Sequence, residues 1–162
     1  MRLSSHEGSA LFPALGLFLS ILVFMPLFSC TGTRPANLGI HDSRLAPCPS
    51  SPNCVSSDAA DATHLVAALE PAVPAAQAWQ AARAAVAAMP RTRIVGESDV
   101  YLHAECRSAV FGFVDDLELH LRTAQNLIGI RSAARLGYSD LGVNRRRVEN
   151  LRASLINQGV LR

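Results

Sequence analysis

The stretch VFGFVDDLELHLR, residues 110–122, decides how this chain is read. Its second half alternates, with Leu117, Leu119 and Leu121 in one phase and Glu118, His120 and Arg122 in the other. Successive side chains of a strand point to opposite faces, so the pattern predicts a strand with its leucines in a core and its polar residues outward. The same phase puts Asp115 on the leucine side and Asp116 on the far side. A carboxylate among leucines must be paired, because burying a bare charge is very costly. The cations on offer are Arg131, Arg135 and the run Arg145–Arg147.

Working outward, RTRIVGES (91–98), VYLHAECRS (100–108) and NLIGIRSAA (126–134) read as further strands joined by short turns. THLVAALEP (63–71) is the expected first strand. Between it and residue 91 lies an alanine-rich helix, with Pro74 at its first position and Trp79, Ala82, Val86 and Met89 on one face. Pro90 ends it. A last helix spans about 144–157, with Val148, Leu151 and Leu155 as its apolar stripe and Gly159 closing it. The order β-α-β-β-β-β-α predicts an α+β domain: an antiparallel meander sheet with both helices on one face. That order is the arrangement of the TATA-binding-protein-like folds, an analogy of fold that says nothing about DNA.

The front of the chain is of another kind. Ala10 to Phe28, ALFPALGLFLSILVFMPLF, carries no charge and follows Arg2, as a signal h-region or a membrane anchor does. It ends in Leu27-Phe28-Ser29-Cys30, which resembles the bacterial lipobox. That resemblance implies a lipoprotein signal peptide over 1–29, cleavage before Cys30, and lipid on Cys30; the alternative is an uncleaved anchor. Residues 30–45, rich in Gly, Pro, Ser and Thr, then read as a flexible tether, and 46–162 as the single domain. The expected location is the bacterial cell envelope, membrane-anchored and facing the periplasm or exterior. Export places Cys48 and Cys54 of CPSSPNC in an oxidising compartment, where a disulfide is expected over two free thiols. Cys106, at an apolar position of a strand, reads as a small buried hydrophobe.

The chemistry that composition and motifs permit is narrow. A net charge of +2 gives no nucleic-acid footprint. All fifteen basic residues are arginine, so every fixed cation is a planar, multi-donor guanidinium. No G-x-S-x-G elbow, Walker loop or zinc-helix pair is present, and no cofactor is expected. In LGYSDLGVN (136–144) the glycines Gly137 and Gly142 suit a shaped turn, Asp140 an Asx-type bond and Asn144 a helix cap. Three arginines at the start of the following helix sit where the dipole disfavours cations. A carboxylate or an outside anion must meet them. His103 and His120 lie about 20 Å apart if 100–108 and 110–122 form a tight hairpin, and read as solvent-facing.

Three stretches point the same way together: LAPCPSSPNCVSS (45–57), FGFVDDLELHL (111–121) and IRSAARLGYSDLGVNRRRVENLR (130–152). They resemble the bacterial and plastid family called domain of unknown function 1499, over Leu45 to Arg152. The resemblance implies a small exported or membrane-tethered α+β domain and no particular reaction. Two functions follow as expectations. The first is a membrane-tethered envelope binding or assembly module with a network of Asp115, Asp116, Arg131, Arg135, Asp140, Asn144 and Arg145 open to an anionic group. The second is a metal-assisted hydrolase built on Asp115, Asp116 and Asp140.

Overall fold

A computed structural model describes residues 32–162. The signal peptide expected over 1–29 and the lipidated Cys30 lie outside the described residues. A two-stranded ribbon comes first, β1 (Ile40–His41) against β2 (Arg44–Leu45). The main sheet holds β3 (Cys54–Ser56), β4 (Thr92–Glu97), β5 (Tyr101–Arg107), β6 (Val114–Arg122) and β7 (Leu127–Ala134), in the spatial order β3-β7-β6-β5-β4. All its pairings are antiparallel, so β4 to β7 form the meander that the short connections predict. Helices α1 (Ala75–Ala87) and α2 (Val143–Asn157) complete an α+β fold.

Both helices cover the same face. Leu102, Ala104, Leu117, Leu119, Ile128 and Ile130 point at it, and Ala78, Trp79, Ala82 and Val86 of α1 meet Val148, Leu151 and Leu155 of α2 there. Fully buried Ala78 and Ala82 let the α1 backbone lie close to its neighbours. Trp79 belongs to this core.

Three expectations are corrected. The first sheet strand is Cys54–Ser56, not 63–71. Residues 54–56 pair with Arg131–Ala133 on the free edge of β7, leaving only Leu69 to exchange backbone hydrogen bonds with Ile128 further along. β6 begins at Val114 rather than 110, because residues 108–113 form an open hairpin loop. That loop shifts the register: His103 stands opposite Glu118 and Tyr101 opposite His120. Finally, the stretch expected to be a tether is folded from at least Arg34 to Leu45 against the second face of the sheet. Arg34 bonds Glu105, the Gly39 amide donates to Glu118 at 2.8 Å, and Leu45 and Ala46 are buried.

Candidate functional site

Asp115 and Asp116 are neighbours on β6 and face opposite ways, so each organises its own group of side chains. On the second face, Asp116 accepts from His103 Nε2 at 2.7 Å and from both Nε and Nη2 of Arg135 at 2.9 and 2.6 Å. Arg135 also reaches Glu105 at 2.7 Å, which in turn holds Arg34. Glu118 is fully buried. It accepts from Arg131 at 2.8 Å, Tyr101 Oη at 2.7 Å and the Gly39 amide. Arg122 pairs with Asp58 and donates to His120 Nδ1. Gly129 makes this possible, since a Cβ there would come within 2.9 Å of the Arg122 guanidinium.

Burial acts on these groups in both directions. It pushes the Asp116 carboxyl up, but hydrogen bonds from Arg135 and His103 outweigh it and leave the group below its ordinary range. Hydrogen bonds from Arg135 and Arg34 hold Glu105 low. Burial, with Arg122 beside it, lowers His120 and favours the neutral ring that accepts from Arg122. His103 and His120 are 5% and 7% exposed, where the sequence suggested solvent-facing rings. The stretch from Arg34 to Leu45 forms a strap over this face, bonding Glu105 and, opposite His103, Glu118.

The helix face has a smaller polar group at its edge. Asp115 accepts from Arg147 Nη2 at 2.6 Å. Arg147 also donates to Ser132 and Asn144, and Ser132 donates to Asn144 at 2.6 Å. Asn144 is fully buried and donates to the Asn53 carbonyl at 3.1 Å. That carbonyl ends the short loop closed by the Cys48–Cys54 disulfide, whose Cα atoms are 5.7 Å apart. Burial pushes the Asp115 carboxyl up, and Arg147 offsets this only in part.

The role of helix cap falls to Asp140 rather than Asn144. Its carboxylate accepts from the Gly142 amide at 3.0 Å and the Asn144 amide at 2.7 Å, an anion at the end of the helix where the dipole favours one. Gly142 takes a φ of 75°, which suits a residue without Cβ. The three arginines part company here. Arg145 donates to the Leu65 and Thr63 carbonyls, Arg146 to the Leu141 carbonyl, and Arg147 alone meets a carboxylate.

Of the residues singled out in the sequence, the structure thus groups Asp116 with Arg135, and Asn144 with Asp140. Arg131 goes to Glu118, and Arg145 joins neither group. Asp115, Asp116 and Asp140 do not converge. Among the described residues no group of three or more His, Cys, Asp or Glu side chains is placed to hold a metal ion. Sequence reasoning missed Glu118, His103 and Glu105 as network members. Their signal was the polar alternation itself, which marks a second face as clearly as the leucines mark the first.

A cleft of about 780 Å³ opens beside Asp115, between the end of α1, one side of α2 along its length, and the start of β4 with the end of β5. Its wall is apolar where Ala85, Ala88, Met89 and Leu151 form it, and Arg91, Arg146 and Arg147 line it with Asp115. Buried Cys106 is also in the wall, with its thiol pushed up by burial. Among the described residues, Arg91 and Arg146 bond only backbone carbonyls, those of Arg107 and Leu141.

The family model for a protein of unknown function, DUF1499, matches residues 44–155. The chain belongs to the DUF1499 family. The matched stretch takes in β2, all five strands of the main sheet, α1, α2 as far as Leu155 and every residue of the cleft except Gln158. No curated protein and no solved structure matches the chain. No helix among the described residues is long and apolar enough to cross a membrane.

Proposed function

We propose that this DUF1499 chain is a membrane-tethered binding or assembly module of the cell envelope, cut before Cys30 and lipidated there, whose cleft takes an anionic group. The observation that carries the ligand reading is the charge state of the cleft. Arg147 is neutralised by Asp115, whereas Arg91 and Arg146 bring two guanidinium groups to the lining with no carboxylate partner among the described residues. Guanidinium groups favour planar, bidentate recognition of carboxylate or phosphate. The apolar wall of Ala85, Ala88, Met89 and Leu151 suits a ligand whose acidic group carries an apolar portion. The lipobox-like ending at Cys30 supports the tether.

The test is a calorimetric titration of the full chain in neutral detergent with dihexanoyl phosphatidic acid. Binding that becomes about ten-fold weaker in the Arg91→Gln/Arg146→Gln double variant is the expected result, a loss of about 1.4 kcal/mol. Wild-type protein that takes up no heat, or a double variant that binds as well, removes the cleft from the reading.

A further inference from the structure

The β5–β6 loop and the β7–α2 loop leave the sheet at the same end, because Arg107 pairs with Val114 and Asp115 with Ala134. Together they expose large apolar side chains. Val110 is 81% exposed, Phe111 67%, Tyr138 76% and Leu141 83%, with Phe113 and Leu136 also exposed. Scattered single exposures need no explanation, but large apolar side chains gathered on two loops at one end mark an interaction surface. Exposed Arg91, Arg107 and Arg146 lie at this end as well. Aromatic residues beside arginines are the composition of a surface that sits at a membrane–water boundary.

Gly32, the first described residue, lies at the same end. Gly32 lies against the start of the β7–α2 loop: a Cβ on it would fall 2.9 Å from Cβ of Arg135 and 3.0 Å from Cγ of Leu136. Cys30 is two residues along the chain from Gly32, a span of at most about 7 Å. We infer that the two loops are a docking tip that lies in the headgroup region of the anchoring bilayer, with Phe111 and Tyr138 as its deepest side chains. The domain then sits on the membrane rather than hanging from a loose tether. Charge complementarity agrees. The loops 108–113 and 135–142 contain one carboxylate, Asp140, and both its oxygens accept from the α2 backbone. The turn at the opposite end carries Asp99 and Glu97, the latter paired with Arg83. Anionic lipid therefore favours the first end over the second, by about 1 kcal/mol for each basic residue brought to the surface.

This inference rests on the tether proposed above and is independent of what the cleft binds. Its test places a thiol-reactive environment-sensitive fluorophore on Phe111→Cys and Tyr138→Cys at the tip, and on Asp99→Cys and Gln125→Cys at the opposite end. The native Cys106 is only 3% exposed and stays unlabelled. The full chain, purified from its membrane, is reconstituted into vesicles of phosphatidylethanolamine and phosphatidylglycerol with brominated acyl chains. The tip labels shift to the blue and lose most of their emission, while labels at 99 and 125 keep the spectrum they show in water. If the chain floats with the vesicles but all four labels remain in water, the docking tip is wrong and the tether stands. A chain that does not float overturns both. Tip labels shielded in solution before vesicles are added identify a second copy as the occupant, which also overturns the inference. Amide exchange on the unlabelled chain tests the same contact without substitutions, through vesicle-dependent protection of 108–113 and 135–142.

Discussion

The two faces of the sheet are built from alternate residues of the same strands and are held by different physics. On the helix face, two helices bring a continuous apolar layer onto leucines and isoleucines, where removal of apolar area from water is the driving force. On the second face, a strap without regular structure beyond the β1–β2 ribbon bonds Glu105 and Glu118, and charge complementarity among these, Asp116, Arg131 and Arg135 takes the place of apolar contact. β6 serves both layers and is buried at every position from Val114 to Leu121. The lesson is that burial and hydrophobicity are separable: an ion network can be as deep as a leucine core, provided nearly every polar atom finds a partner. Arg131 Nε is the one buried side-chain polar atom among the described residues that does not.

The largest break comes from Glu118→Gln. It leaves Arg131 buried without its counter-charge and loosens the strap at Gly39, and the expected loss is about 3–5 kcal/mol. Urea unfolding measures it. Replacing both partners, Glu118→Leu with Arg131→Met, recovers most of that loss, because no uncompensated charge remains. A single variant as stable as wild type would show that water already reaches the network. The matching change on the other face is Leu119→Ala, one residue away. It removes a fully buried side chain and costs about 3 kcal/mol through lost transfer energy and the cavity left behind. No double replacement is expected to restore it short of refilling the volume. If a second charge-removing substitution on β7 rescued Leu119→Ala, the division between the two faces would fail.

Much of this was legible in the alternation of residues 114–122, since a period of two survives any register. The opposite orientation of Asp115 and Asp116 follows from it, as does the need for arginine partners. What was not legible depends on pieces that carry no periodicity. Cys54–Ser56 is a strand because the edge of β7 is available to it, and three residues cannot show a pattern. Residues 110–113 have strand-like composition, so the hairpin looked tight and misplaced His103 against its neighbours. The strap reads as a tether because its hold on the sheet runs through the Gly39 amide and Arg34, neither of which belongs to a repeating pattern. The cleft is a tertiary product. Arg91 and Arg146 are brought together only when α1 and α2 pack side by side.

The smallest effect gives the sharpest comparison, because it uses the same substitution on adjacent residues. In Asp116 the folded carboxyl sits below its unfolded value of about 3.9. Its contribution is therefore complete above that value and is lost as pH falls through the folded one. In Asp115 the folded carboxyl sits above that value, so the ionised group weakens the fold at neutral pH, and protonation relieves this as pH falls. Asp116→Asn should cost about 2 kcal/mol at pH 7, set by charge-assisted hydrogen bonds, and the deficit should shrink as pH falls below about 3.9, where the unfolded carboxyl takes up its proton before the folded one does. Asp115→Asn should cost under about 1 kcal/mol at pH 7, because the lost bond to Arg147 is partly offset by relief of a desolvated charge. Its deficit should grow as pH falls through the raised folded value toward about 3.9, since protonation then stabilises wild type and not the variant. Unfolding midpoints taken across pH 3 to 8 read both slopes. Two variants with slopes of the same sign would mean that the neighbouring aspartates share one electrostatic environment, and the contrast between the faces would not extend to their charges.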